Sequence, residues 1–573
     1  MKLPILNELI TSREMVDVFN GYNHNLRIGE GEFYDMKNLS SDNFPILSPR
    51  PKRGVYATPN NPLGMVAKDS LCYVDGGDLI INEYRINMGL DIKTKKTLIS
   101  MGAYVIIMPD KKYINTENHS DHGNIEATVS TTSTVTFSLC KMDGEGYGDV
   151  PFGASPPTEN MDLWIDTSEI PHQLKQYSTT TAMWSAIATT YIKIHALGIG
   201  KPFSVNDGVT ISGVESLPDL NASMVIWAKG DDYIVVTGIL DKTTTQNTAI
   251  SVSRKMPNMD FIIESENRLW GCRYGLALNG EVVNEIYASK LGDFKNWNCF
   301  QGISTDSYAA SVGSDGQFTG AITHLGYPIF FKETCMHKVY GNYPANYQIQ
   351  TTACRGVQKG SERSLAIVNE VLYYKARSGV CAYDGSLPQE ISTALGDKMY
   401  HNAVAGVLGN KYYISMADDE QYHLFVYDTK KGMWHREDDT EAVDFCNCRG
   451  DLYYIDHGDN QIKTVKGTGV PETEKIEWEA VTGIIGTDSP DKKYISRMDV
   501  RLSLTSGSRV FFYIQYDSTS EWEHLLTMIG TTLRSFPISI RPKRCDHFRL
   551  RIIGEGDAKI FSICKTIEQG SDV

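Results

Sequence analysis

Short apolar runs separated by polar turn clusters recur through most of this chain. Five of them look alike: Leu269-Trp270, Ile329-Phe330-Phe331, Leu372-Tyr373-Tyr374, Tyr412-Tyr413-Ile414 and Leu452-Tyr453-Tyr454. Their recurrence is close to the period of about 40–45 residues shown by β-propeller blades. Each predicts a hairpin. Asn369-Glu370 opens Val371 to Tyr374, Arg377-Ser378-Gly379 turns, and Val380 to Tyr383 returns. Gly409-Asn410 and Arg449-Gly450-Asp451 open the next two units in the same way. Gly, Asn and Asp clusters between aromatic and β-branched runs are hairpin signals. The strands are apolar on both faces, as expected of strands that meet no water on either side. Leu71-Cys72-Tyr73 and Tyr104 to Ile107 add two earlier units. The expected class is all-β, a β-propeller of about seven blades, with six to eight compatible with the pattern.

Between Tyr104 and Leu269 the chain exceeds one period by roughly 120 residues, which predicts an insertion. Its strands are expected around Thr128 to Phe137, Ala186 to His195, Gly208 to Ile211, Ser223 to Trp227 and Tyr233 to Val236, forming a small β-barrel-like domain. After about residue 470 the period is lost. Runs at Ile476–Glu479, Ser496–Leu504, Val510–Tyr516, Trp522–Leu526 and Phe548–Ile553 predict a C-terminal β-sandwich. The resulting division is 1–118 for an N-terminal lead-in segment and first blades, 119–257 for the insert, 258–470 for the remaining blades and 471–573 for the sandwich. Only Glu14 to Phe19 is a helix candidate. Phe548-Arg549-Leu550-Arg551-Ile552 sets both arginines on one face, read as a partner or carbohydrate surface or, more plainly, as a wet outer face.

A net charge of −15 argues against a general nucleic-acid binder. Arg50-Pro51-Lys52-Arg53 is the one basic cluster near the start, and a solvated loop is its expected state. Eleven cysteines, an odd number in no paired framework, fit reduced thiols. No run approaches the roughly 18 apolar residues of a membrane span. Met1 to Glu8 lacks the apolar core of a signal peptide, so synthesis in a cytoplasm is expected, where the Asn221-Ala222-Ser223 sequon has no bearing.

Candidate chemistry is thin. Cys446-Asn447-Cys448, His119-Ser120-Asp121-His122 and the Asp143, Glu145, Asp149 series each have a metal-binding reading and a stronger reading as ordinary strand or loop. No G-x-S-x-G, P-loop, dinucleotide fingerprint or H-E-x-x-H occurs in its expected context, and Ser314 to Gly320 only approximates a sialidase repeat. The expectation is no enzyme, no catalytic residue, no cofactor and no metal. Trp270, Trp297, Phe330, Tyr373, Tyr413 and Tyr453 are expected in the blade core.

Glu266 to Gly271 with Ile286 to Trp297, Ile329 to Glu333, Gly356 to Ser361 and Gly379 to Gly385 together resemble the structural propellers of tailed phages. So does the opening, Phe19 to Tyr22 and Asn38-Leu39 to Leu47. The resemblance is to the packaged-DNA stabilization or tail hub proteins of short-tailed phages and spans roughly residues 20 to 465. It implies a virion tail or neck component: a homo-oligomeric ring below the portal-adaptor proteins, above distal tail proteins, that retains and conducts packaged genomic DNA without reading its sequence. An acidic conduit would let the genome slide. The alternative expectation is a carbohydrate-binding or glycosidase-like propeller acting at a bacterial surface.

Overall fold

The computed structural model describes residues 10–158, 161–277, 280–488, 491–519 and 521–569. The Met1–Glu8 segment read above for targeting lies outside the described residues. Strands dominate. The helical elements among the described residues are four single 3₁₀ turns, Pro218–Leu220, Pro344–Asn346, Glu362–Ser364 and Thr393–Leu395.

Successive up-and-down antiparallel sheets carry the repeat. The first comprises Pro62–Lys68, Ser70–Asp75, Asp78–Ile81 and Tyr84–Asn87, and the second Thr97–Met101, Tyr104–Met108, Lys112–Asn115 and His122–Asn124. The third comprises Phe261–Ser265, Arg268–Leu276, Val282–Ala288 and Tyr308–Ser311, and the fourth Gly320–His324, Tyr327–Lys332, Cys335–Tyr340 and Gln348–Ala353. The fifth runs Ala366–Val368, Val371–Lys375, Val380–Tyr383, Gln389–Glu390. The sixth runs His401–Leu408, Lys411–Ala417, Tyr422–Asp428, Met433–Arg436. The seventh, Ala442–Cys448, Asp451–Asp456 and Ile462–Thr464, is completed by Gly54–Ala57 from near the start of the chain.

The doubly apolar strands now have a physical account. Adjacent residues of one strand face opposite sides of the sheet, and each seam between neighbouring sheets has its own apolar cluster. Phe330 packs toward the third sheet with Trp270 and Cys272, whereas Ile329 and Phe331 pack toward the fifth with Leu372 and Tyr374. Tyr373 joins Tyr412 and Ile414 of the sixth sheet. Tyr413 joins Leu452 and Tyr454 of the seventh, and Tyr453 joins Met65 and Leu71 of the first. Cys72 and Leu79 of the first sheet pack with Leu98 and Val105 of the second, and Ile99 and Ile106 of the second with Ile262 and Leu269 of the third, so the circuit closes. Polar side chains of one sheet also reach backbone of a neighbouring sheet: Lys68 to Gly102 O (2.6 Å), His324 to Glu370 O (2.7 Å), Asn447 to Val407 O (2.9 Å) and Arg449 to Asp69 O (3.2 Å).

The insert leaves and re-enters between the second and third sheets on paired strands, Ala127–Ser130 and Ser251–Arg254. Its core gathers Phe137, Ile192, Ile194, Ile211, Ile234 and Val252. It is tied down through Asp207, which accepts from Arg254 and, at 3.1 Å, from Asn296 in the loop joining the last two strands of the third sheet. The stretch expected as one strand from Thr128 to Phe137 is two, Ala127–Ser130 and Val135–Cys140, in different sheets.

At the other end, Lys493–Tyr516 and Glu523–Ile538 form a long hairpin flanked by Phe548–Glu555 and Ala558–Gln569. The chain start belongs here. Ile10–Val16 pairs with Ala558–Gln569, and Glu32–Lys37 pairs with Glu477–Thr482. The helix expected from Glu14 is thus a strand at Glu14 to Val16, because the edge of the C-terminal sheet supplies hydrogen-bond partners that outweigh local propensity. Tyr22 then pairs with Trp434 and joins this unit to the sixth sheet.

The basic cluster is in part a second correction: Pro51 and Lys52 are exposed, as expected of a solvated loop, but the two arginines are not. Arg50 and Arg53 are buried, at 7% and 5% exposure, rather than solvated. Arg53 meets Glu437 at 2.7 Å and Asp438 at 2.6 Å, and Arg50 meets Glu472 at 3.1 Å. A buried guanidinium is tolerated only with such partners, and these come from sequence positions far downstream. Burial alone would lower Arg53 and raise Asp438. Their mutual attraction reverses both, helped at Arg53 by Tyr454 and Glu437 and at Asp438 by Thr440 and Arg50, so both are held charged.

Candidate functional site

The inner strands of the sheets converge on one short turn. Glu362–Ser364 precedes the fifth sheet, and its Arg363 donates to Lys96 O at 2.8 Å, just ahead of the second sheet, and to Val443 O at 3.1 Å on the seventh. Arg363 also pairs with Asp444 at 3.1 Å, and Asp444 accepts from the Met65 amide of the first sheet. Ser361 Oγ accepts from the Ala403 amide of the sixth sheet at 3.0 Å. Five of these sheets are tied together at and around this one turn. Burial raises Asp444 above the usual carboxylate range in spite of Arg363. Glycine is required nearby for close approach: a Cβ on Gly64 would lie 2.4 Å from Lys96 O.

Other titratable groups are shifted by burial between sheets. Lys375 ends the second strand of the fifth sheet at 2% exposure, donates to Ala376 O and is pushed down to about 8, with Cys381 and Glu390 opposing. Lys332 holds the equivalent place in the fourth sheet, over the rings of Tyr274 and Phe318, and is also lowered by burial. His337 is pushed down to about 4 by burial and by Lys332, and sits between Ser314 Oγ (2.8 Å) and Thr351 Oγ1 (2.9 Å). A hydroxyl cannot stabilise an imidazolium as a carboxylate does, so this pair is a weak base.

A cavity of about 610 Å³ lies between the lead-in segment and the C-terminal strands. Phe19, Leu26, Ile28, Ile484 and Ile563 line it, with Lys565 bound to Glu14 at 2.8 Å and to Glu30. Its parts come from three distant stretches of sequence, so no local motif announces it. Arg549 packs over Tyr34 and Arg551 meets Glu479 at 2.7 Å; both are half-buried and occupied within the chain rather than presented on a wet face.

The residues expected in the core are placed as follows. Trp270, Trp297, Phe330, Tyr373, Tyr413 and Tyr453 are all buried, Trp297 on the loop after Val282–Ala288 rather than on a strand. The structure distributes them over five seams and brings them to no common site. Cys446 and Cys448 lie on one inner strand, where burial pushes both thiols up. His122 bonds His119 O, and Glu145 pairs with Lys141 at 2.6 Å. Among the described residues, no three His, Cys, Asp or Glu are placed to hold a metal ion. No helix of the described residues is long and apolar enough to cross a membrane.

No family model matches the chain, and no curated protein matches it. Among solved structures it is similar to an exo-beta-1,3-galactanase from Phanerochaete chrysosporium, at 7% identity over 53% of this chain and 94% of that one, with a TM-score of 0.22. It is also similar to an acylaminoacyl peptidase from Pyrococcus horikoshii, at 10% identity over 53% of this chain and 48% of that one, TM-score 0.24. A third is a glycoside hydrolase engineered for both endo-xylanase and exo-arabinofuranosidase activity, at 9% identity over 53% and 96%, TM-score 0.20. Likeness this distant assigns no substrate and no residue. It does correct one expectation. With glycoside hydrolases among the structural neighbours, missing motifs do not exclude an enzyme, and that exclusion is withdrawn.

Sequence reading missed Arg363, although it lies two residues past the Gly356–Ser361 segment. The available signal was a Gly-Ser-Glu-Arg-Ser run ahead of one repeat with no counterpart ahead of the others.

Proposed function

We propose that this chain is a structural virion protein of a tailed phage, a tail hub or neck component whose copies form a ring below the portal-adaptor complex. In this reading the seven successive sheets are the blades of one propeller. Residues 127–254 are its inserted domain, and the C-terminal strands with the lead-in segment form a sandwich-like docking unit. The residues that resemble tail hub proteins support it, and the observation that carries it is the cross-tie. Arg363 ties sheets on opposite sides of the circuit, which stiffens the disc. In this reading packaged DNA runs between copies, along the axis of the ring, and the propellers act as its wall.

The insert and the C-terminal unit project from different seams, which supplies separate surfaces for proteins above and below. The cavity at Lys565 lies on the second of these. The test is electron cryomicroscopy of the purified protein alone and mixed with a candidate portal-adaptor ring. A closed ring docked on the adaptor is the expected result. A dispersed monomer that ignores the adaptor overturns the proposal.

A further inference from the structure

A small cleft opens in the seam between the third and fourth sheets and shares no lining residue with the Lys565 cavity. Its volume is about 190 Å³, roughly six water volumes. The turns Glu266-Asn267 and Leu325-Gly326 form its lip, and Arg268, Trp270 and Tyr347 lie deeper.

Two charged groups in it are left incompletely used. Arg268 is 2% exposed and gives three of its five N–H groups to backbone carbonyls: Ser289 O at 2.7 Å, Asp306 O at 2.5 Å and Ser304 O at 2.8 Å. Its Nε–H and one Nη2–H have no acceptor among the described residues. Glu266 stands at the rim on a residue of positive φ, and its carboxylate has neither a hydrogen bond nor an ion pair among the described residues. Gly326 on the facing turn has a φ of +81°, which favours glycine, and lies beside that carboxylate.

The walls are aromatic and held in place. Tyr347 is braced edge-on by Trp270 at 5.0 Å and Tyr308 at 5.1 Å. Around the mouth, Leu291, Leu325 and Tyr327 are exposed at 43%, 53% and 37%, a concentration of apolar surface that a monomer has reason to avoid. Braced aromatic rings, one free carboxylate acceptor and a guanidinium with spare donors match a ligand with an apolar C–H face and a rim of hydroxyls. An anionic ligand would meet Glu266, and a cationic one would meet Arg268.

We infer that this cleft binds one neutral pyranose unit of a saccharide, with Tyr347 against the sugar face, Glu266 accepting from a hydroxyl pair and Arg268 donating to a ring or hydroxyl oxygen. The site stands independently of the tail-hub reading, because it needs neither a ring nor an adaptor.

The test is saturation-transfer difference NMR on the full chain with D-glucose, D-galactose, N-acetyl-D-glucosamine and D-glucuronate as probes. Transfer to at least one neutral sugar with millimolar affinity is expected, falling at least tenfold in Glu266→Gln and in Tyr347→Ala. Glu266 is on the surface, so the first variant leaves folding intact if the second does not. No transfer to any neutral sugar, transfer unchanged in Glu266→Gln, or tighter binding of glucuronate than of glucose would each overturn the site.

Discussion

Lys375 is a buried ammonium whose only acceptor among the described residues is Ala376 O, at 2.5 Å. Folding takes it from an ordinary value near 10.5 to about 8, because burial disfavours the charged form. That gap corresponds to about 3 kcal/mol at about 1.4 kcal/mol per tenfold change. Below pH 8 both folded and unfolded chains hold the proton, and the full penalty falls on the fold. Between pH 8 and 10.5 the unfolded chain binds more protons than the native one, so stability rises with pH. Lys375→Met removes the charge and keeps most of the volume. It should stabilise the protein near pH 7 by about 2 kcal/mol, after about 1 kcal/mol is given back for the lost hydrogen bond. The advantage should shrink steadily by about pH 9.5. Urea unfolding of both proteins, followed by tryptophan fluorescence across this range, measures the difference, and titrations elsewhere cancel in it. A variant that is less stable at pH 7, or an advantage that does not change with pH, would refute the account of this lysine as a buried, poorly compensated charge.

Tyr413→Ala opens the seam between the sixth and seventh sheets, where the ring is 3% exposed, and should cost about 3–5 kcal/mol in the same urea assay; unchanged unfolding would mean the strand is misplaced. Arg53→Met leaves Glu437 buried without its cation, while Asp438 keeps Arg50, so a loss of about 3–5 kcal/mol is expected, partly restored by the added change Glu437→Gln. Arg363→Met should speed amide exchange at the inner strands of the second, fifth and seventh sheets while leaving the insert unaffected; a change confined to the fifth sheet would show that the cross-tie does not couple them. Acid should act through His337 and His435, which burial pushes down to about 4 and about 3. Both stay neutral in the fold while the unfolded chain takes up protons below about pH 6.5, so stability should fall from there toward pH 4. His337→Gln should flatten part of that fall in acid urea titrations.

The repeat was legible because it is local. Phe330-Phe331, Tyr373-Tyr374 and Tyr453-Tyr454 each place neighbouring aromatics on opposite faces of a strand, and the Gly, Asn and Asp between them turn the chain within a few residues. A strand buried on both sides must be apolar on both sides, and that requirement shows in any single stretch of sequence. The insert was visible for a related reason, as an interruption of the period.

What tertiary structure decided is which distant segments meet. Nothing within Gly54–Ala57 names Ile462–Thr464 as its partner, and nothing in Ile10–Val16 names the strand ending at Gln569. Backbone donors and acceptors are alike in every strand, so pairing is set by which edge the fold leaves open. For the same reason Arg50 and Arg53 looked like a solvated cluster until Glu437, Asp438 and Glu472 closed over them. Arg363 looked like any loop arginine until the circuit of sheets brought Lys96 and Asp444 to it. Apolar patterning is written residue by residue; the pairing of charges and edges exists only once the chain has closed on itself.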